Sequence, residues 1–166
     1  MVSQRKDGRA GIDTPLVGRL IAEQFPQWAD LPVMPVEFEG WDNRTYRLGE
    51  RMSVRLPTAP GYAPAVAKES YWLPRLAPHL PVAVPTVLAV GDPDEDYPLP
   101  WSVRTWIDGE AAACGHVRDR LGLAVAVADF LRALQACNAA GAREAGEHSW
   151  FRGTPPPTAT TKPAAA

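Results

Sequence analysis

The alternation of apolar and polar positions is clearest between Val36 and Pro57, where it predicts three short antiparallel strands. Apolar and polar residues take turns through VEFE, TYRL and MSVRLP, which is the period of strands with one buried face. Glycine, aspartate and asparagine in Gly40–Asn43 indicate a turn after the first strand, and Gly49–Arg51 indicates a tight hairpin after the second. We therefore expect a sheet with one apolar and one polar face.

Other segments show the longer period of amphipathic helices. The first helix should begin at Thr14, which would cap it, with Pro15 in its first turn. A second helical pattern runs from about Ala63 to Leu76 and contains Pro74, which should kink or split it. The clearest pattern, Val117–Asn138, predicts a long helix.

Two further apolar, β-branched runs, Val84–Val90 and residues 101–110, predict a fourth and a fifth strand. The proline-rich segment PQWADLPVMP between the first helix and the strands is expected to be an irregular crossing. The predicted fold class is therefore α+β, built on an antiparallel five-stranded sheet.

Composition excludes several kinds of partner and site. The chain is 46% hydrophobic and 22% charged, and its net charge of −2 gives no electrostatic reason to expect nucleic acid or an anionic membrane as a partner. No apolar run is long enough to span a bilayer, and the N-terminus lacks a signal-peptide core, so we expect a cytoplasmic protein. Cys114 and Cys137 lack the spacing of a metal site and are expected to be reduced thiols.

The turn at Gly40–Asn43 is the first candidate for function, because its residues tolerate left-handed backbone and leave amide N–H groups free to face an anion. Taken alone, this segment is more simply an ordinary turn. In the same way, Arg55 alone would be a solvated strand residue and Glu69 a charge on a helix surface.

Several ordered segments together carry a resemblance to a known family: GWDNRTYRLG, SVRLP, AKESYWLPRLAPHLPVAVP, YPLPWSVRTWIDGE and HSWFRG. Over about residues 14–153 the chain resembles the N-terminal part of the aminoglycoside phosphotransferase family of small-molecule kinases. The resemblance implies a protein kinase-like N-terminal lobe over residues 14–110, whose five-stranded sheet carries a Glu-bearing helix. Residues 111–153 would be a linker, long helix and loop that begin a truncated C-terminal lobe. Residues 1–13 and 154–166 are expected to be disordered.

The resemblance also implies a nucleotide site for ATP or GTP. Arg55 would contact the nucleotide phosphates and Glu69 would hold that cation in place, as phosphoryl transfer requires. Arg55 stands where protein kinases have lysine, and the chain has no G-x-G-x-x-G loop. Arg104 would lie at the back of the base pocket, just before the hinge. The implied nucleotide-binding residues are Gly40, Trp41, Asp42, Asn43 (phosphate loop), Ser53 (base), Arg55, Glu69, Thr105 and Ile107 (hinge).

The catalytic half of such a site is missing from the sequence. No H-x-D is followed at the right distance by Asn, and no Asp-Φ-[GD] comes after it, so no catalytic or metal-binding residue is assigned. We expect magnesium only in complete family members and no phosphoryl transfer by this chain alone. The alternatives are a non-enzymatic binding or regulatory module, which would use the 117–138 helix to join another polypeptide or itself, and a non-functional truncated gene product.

Overall fold

The computed structural model describes residues 11–37, 40–110, 112, 117–144 and 146. The remaining residues include Phe38, Cys114 and most of the predicted disordered termini, so those predictions lie outside the described part of the chain. The elements are α1 Thr14–Gln24, β1 Val33–Pro35, β2 Asn43–Leu48, β3 Met52–Pro57, α2 Pro64–Leu76, β4 Val87–Gly91, β5 Trp101–Thr105 and α3 Arg120–Ala136. Short 3-10 turns at Pro26–Trp28, Pro60–Tyr62 and Ala77–His79 connect them.

The five strands form one antiparallel sheet, as the sequence predicts, and their order in the sheet is β1-β2-β3-β5-β4. The β2–β3 hairpin turns at Gly49, whose φ of +57° lies in the left-handed region that glycine adopts without strain. The alternation predicted for β2 is confirmed, since Tyr46 and Leu48 are buried while Thr45 and Arg47 are partly exposed.

Two strand boundaries differ from the prediction. The first strand is Val33–Pro35, inside the segment predicted to be an irregular crossing, and Val36 follows it. β1 is an edge strand and therefore tolerates Pro35. The N–H that proline lacks would face away from β2, so the pairing of β1 with β2 is unaffected. The fifth strand ends at Thr105 and does not reach residue 110. The N–H of Trp106 donates to the carbonyl of Arg51 at 2.7 Å, which continues the β3–β5 register by one residue.

The core lies between α1 and the apolar face of the sheet. Val17, Leu20 and Ile21 of α1 pack there with apolar residues of β2, β3 and β5. Asp13, not Thr14, caps the helix, because its side chain accepts a hydrogen bond from the N–H of Leu16 at 3.0 Å. The cap is therefore one residue earlier than predicted.

The polar face of the sheet meets α2, which packs near β4. Pro74 does not split α2 as predicted: it lies in the last turn of one continuous helix that ends at Leu76. The long helix α3 is confirmed within the predicted range, but none of its residues is buried. Within the described residues, no helix combines the length and apolar character needed to cross a membrane.

Candidate functional site

The register of the central strands creates a row of polar side chains. In the antiparallel pairing of β3 with β5, Ser53 lies opposite Arg104 and Arg55 lies opposite Ser102. Residues directly opposite each other share a face of the sheet, so all of them face away from the α1 core. The alternation that buries Val54 in the core therefore also lines up these polar groups.

Glu69 of α2 meets two arginines on this face. Its Oε2 accepts a short hydrogen bond from Nη2 of Arg104, whereas its Oε1 lies 3.7 Å from Nη1 of Arg55. Nε of Arg104 donates to Oγ of Ser102 at 3.0 Å, so two nitrogens of that guanidinium are held. The predicted pairing of Arg55 with Glu69 thus brings the two groups within ion-pair distance, but Arg104 is the closer partner.

The two arginines differ in their surroundings. The side chain of Arg104 is only 4% exposed, whereas that of Arg55 is 31% exposed. Burial, and then repulsion by the Arg104 charge, lowers the pKa of Arg55, while attraction to Glu69 and Asp42 works in the opposite direction. An arginine pKa starts far above neutrality, so Arg55 stays charged. Its partly exposed positive charge is available to an anion.

A cleft of about 860 Å³ opens beside Arg55, between the strands, α2 and the segment that follows α3. Four of the residues predicted for a nucleotide site line it: Asp42, Asn43, Arg55 and Glu69. Two cations that the sequence analysis did not single out also line it, namely Lys68 of α2 and Arg143 beyond α3. Lys68 could have been suspected because it precedes Glu69 in the chain, whereas no local signal identifies Arg143.

The predicted phosphate loop joins the sheet at Asn43, the first residue of β2, and is also held by Thr58, which follows β3. The N–H and the hydroxyl of Thr58 both donate to the carbonyl of Asp42, at 3.0 and 3.1 Å. Gly40 and Trp41 are exposed and do not line the cleft within the described part of the chain. The carboxylate of Asp42 brings negative charge to the cleft wall, which partly offsets the cations there.

The predicted hinge is only partly available for hydrogen bonding. The N–H of Thr105 donates to the carbonyl of Thr86 at 2.9 Å, and the N–H of Trp106 is used by Arg51. Among the described residues, no backbone hydrogen bond involves Ile107. Thr105 and Ile107 do not line the cleft.

Ser53 is the remaining predicted site residue. Its side chain is on the same face as Arg55, but the residue is buried and does not line the cleft within the described residues. The described residues also contain no cluster of three histidine, cysteine or carboxylate side chains able to hold a metal ion.

Comparison with known proteins shows a match to a protein family. Residues 35–161 match the family model described as "APH: Phosphotransferase enzyme family". That range is well over half of the 166-residue chain. No curated protein gives a significant match.

Solved structures share the fold. The GDP complex of wild-type aminoglycoside 2'-phosphotransferase-IIIa superposes with a TM-score of 0.68 at 22% identity, over 77% of this chain and 44% of that one. The GDP and kanamycin complex of APH(2")-IIia gives a TM-score of 0.66 at 22% identity, over 75% and 43% of the two chains. The gentamicin complex of APH(2")-IIa gives 0.57 at 19% identity, over 76% and 40%. The predicted kinase-like α+β fold is thereby confirmed, and the chain spans less than half the length of these structures.

Proposed function

The chain belongs to the phosphotransferase enzyme family matched by residues 35–161, and we propose that its cleft binds the phosphates of ATP or GTP. The observation that carries the proposal is the wall formed by Arg55 and Glu69, which are 3.7 Å apart at the edge of the cleft. Lys68 adds a second cation there. Fixed positive charge that faces a cleft is what a polyphosphate requires.

Each predicted residue has a role in this proposal. Arg55 contacts the phosphates, and the segment Gly40–Asn43 covers them. Ser53 lies beneath the base, while Thr105 and Ile107 border its edge. Ile107 is the better supported of the two hinge residues, since none of the described residues forms a backbone hydrogen bond with it. Complete family members would add magnesium, which neutralises charge on the transferring phosphoryl group.

We also propose that the activity of the family, phosphoryl transfer to a hydroxyl of a small molecule, needs groups beyond these 166 residues. The sequence contains no H-x-D-x-x-x-x-N to orient the acceptor and hold magnesium. Residues 14–110 would act as the nucleotide-binding lobe, and residues 111–153 would begin a second lobe. An assay of the isolated chain with ATP, magnesium and small-molecule hydroxyl acceptors is expected to show no turnover, and magnesium-dependent transfer would refute this part.

Calorimetric titration with ATP and GTP, with and without magnesium, tests the binding proposal. We expect Arg55→Ala to weaken binding by roughly tenfold or more, because a hydrogen bond to a charged group contributes about 1.5–3 kcal/mol. Arg132→Ala is the matched control, since Arg132 is an exposed arginine of α3 outside the cleft. Equal loss in both variants, or no loss in either, would contradict a phosphate site at Arg55.

A second candidate function rests on α3. Several large apolar side chains of this helix are exposed, including Leu121, Val125 and Leu131. Such a surface is typical of a helix that another polypeptide covers, so a non-enzymatic binding module remains the alternative. Light scattering over a concentration series tests self-association. A mass that rises in the wild type but not in Leu121→Lys would support it, and a constant monomer mass would contradict it.

A further inference from the structure

We propose that Arg47 is a positioning residue that holds the hinge segment 106–108 in place for a nucleotide base. The inference rests on the proposed nucleotide site and adds a residue to its base side. In that proposal Ile107 borders the edge of the base, yet this residue is 42% exposed and forms no backbone hydrogen bond with a described residue. Its orientation therefore depends on its two neighbours, Trp106 and Asp108.

The guanidinium of Arg47 contacts both of these neighbours. It lies over the ring of Trp106, with 4.2 Å between the guanidinium carbon and the ring centroid, which is a cation–π contact. Nη2 of Arg47 lies 3.6 Å from Oδ1 of Asp108, within ion-pair distance. The same nitrogen donates to the carbonyl of Glu50 in the hairpin between β2 and β3. One side chain of β2 thus joins the hairpin to both residues that flank Ile107.

Strand register brings Arg47 to the base side of the proposed site. Arg47 lies opposite Ser53 in the pairing of β2 with β3, and Ser53 is the residue proposed to lie beneath the base. Directly opposed residues share a face of the sheet, so both lie on the polar face. The backbone of the hinge is attached to the same hairpin, since the N–H of Trp106 donates to the carbonyl of Arg51. Arg47 is therefore placed to act on the base, whereas Arg55 serves the phosphates.

The cation–π contact is expected to contribute more than the ion pair. The side chain of Asp108 is 89% exposed, and an ion pair so close to water contributes little. The side chain of Arg47 is only 24% exposed, and a guanidinium is weakly hydrated and stacks well on an aromatic ring. Nε of Arg47 has no hydrogen-bond partner among the described residues, so Nη2 and the face of the guanidinium provide the hold. A lysine can keep a cation over the ring and a donor toward Glu50, whereas a methionine cannot.

The consequence is specific to the base. A segment that is fixed before binding loses less conformational entropy when a ligand contacts it. Without the contacts of Arg47, an incoming base would itself have to order residues 106–108. Phosphates at Arg55 would bind as before, because they do not contact the hinge in the proposed site. Arg47 should therefore affect the binding of a nucleotide but not that of an inorganic polyphosphate.

Calorimetric titration of the full chain with ATP and with inorganic tripolyphosphate separates base binding from phosphate binding. We expect Arg47→Met to weaken ATP binding about fivefold and to change tripolyphosphate binding by less than about twofold. Arg47→Lys should retain most of the ATP affinity. Arg51→Met is the matched control, because it removes an exposed charge from the same hairpin, and it should affect neither probe.

Trp106→Leu removes the other half of the cation–π contact and should give the same loss, selective for ATP. Because the two side chains act as one unit, the double variant Arg47→Met/Trp106→Leu should lose no more than either single variant. If Arg47→Met fails to fold by circular dichroism, Trp106→Leu alone carries the test. Equal loss for ATP and tripolyphosphate would indicate a merely structural role and overturn the proposal. Unchanged ATP affinity, or additive losses in the double variant, would also overturn it.

Arg55→Ala separates this inference from the proposed phosphate site, because it should weaken both probes. Loss of both probes in Arg55→Ala, with no loss selective for ATP in Arg47→Met, leaves the phosphate site intact and refutes only the role of Arg47. A wild type that binds neither probe would refute the nucleotide site and this inference together. A wild type that binds ATP no more tightly than tripolyphosphate would show that the base adds nothing, and would overturn the role of Arg47.

Discussion

Helices α1 and α3 begin in the same way but differ in what covers them. Asp13 caps α1 and Asp119 caps α3: the side-chain oxygen of each accepts a hydrogen bond from an N–H of the first turn, at 3.0 and 2.8 Å. Both helices are rich in aliphatic residues. Yet α1 buries Val17, Leu20 and Ile21 completely or nearly so, whereas no residue of α3 is buried.

The two helices differ in the surface that covers them and in their own pattern of apolar residues. α1 lies on the apolar face of the sheet, where its single apolar stripe is covered. α3 has large apolar side chains on opposite sides: Leu121 is 77% exposed, and Leu123, which lies about 200° around the helix from it, is 41% exposed. A helix that is apolar all round is typical of a protein interior, so local sequence makes both helices while packing stabilises only α1 in this chain.

Truncation of one leucine in each helix should give the largest contrast. Leu20 is fully buried, so Leu20→Ala is expected to lower the free energy of unfolding by about 2–5 kcal/mol. Leu131→Ala, the matched control in α3, should change it by less than about 0.5 kcal/mol because the side chain is half exposed. Urea unfolding followed by tryptophan fluorescence measures both. A similar loss in the two variants would show that α3 is covered in solution.

Replacement of the two N-cap aspartates should give a smaller difference in stability between the helices. Asp13→Ala is expected to destabilise the whole fold by about 1 kcal/mol, since α1 is part of the cooperative core. Asp119→Ala should fray α3 with little change in global stability, because that helix adds few core contacts. Amide hydrogen exchange distinguishes the two results. Loss of protection in β2 and β3 after Asp119→Ala would contradict the comparison.

The smallest expected effect concerns the ion pairs of the two helices. Arg19 of α1 reaches Asp94, which lies beyond β4, at 3.3 Å, whereas the described ion pair of α3, between Arg132 and Asp129, stays within the helix. Burial raises the pKa of Asp94, but hydrogen bonds from the N–H groups of Tyr97 and Asp96, together with Arg19, outweigh it and hold that pKa below 3.8.

The sign of the pH dependence follows from the lowered pKa. The ionised carboxylate of Asp94 stabilises the fold above its unfolded-state pKa, and this contribution is lost as the pH falls through the folded-state pKa. Asp94→Asn should therefore be less stable than the wild type near neutral pH, and the gap should narrow below pH about 4. Urea melts at several pH values measure it, with Asp129→Asn as the control. A gap that widens in acid would contradict the assignment.

Hydrophobic periodicity predicted most of the helices and strands. Its errors concern element boundaries, which strand pairing and helix capping determine. The period of two identified β2 and β3, but β1 forms at Val33–Pro35 because pairing with Leu48 selects that register. Both Asp13 and Thr14 are good caps, so local preference could not choose between them. Pro74 lies close enough to the end of α2 for the helix to continue through it.

The sequence predicted only part of the candidate site. The family resemblance pointed to Arg55 and Glu69, and the structure brings them together at the cleft. Arg143 lies far away in the chain and carries no local pattern, so sequence reasoning missed it. The sharing of Glu69 with Arg104 was missed because it depends on which strands are neighbours.

The sequence by itself determined which face of its own strand each side chain takes, because the period of a strand is a local property of the backbone. It thereby placed Ser53 with Arg55, and Ser102 with Arg104, on common faces. Only the tertiary structure decided that β5 lies beside β3 and that α2 carries Glu69 to that same face. Those contacts join segments tens of residues apart, and they form because the buried core on the other face of the sheet holds these strands together.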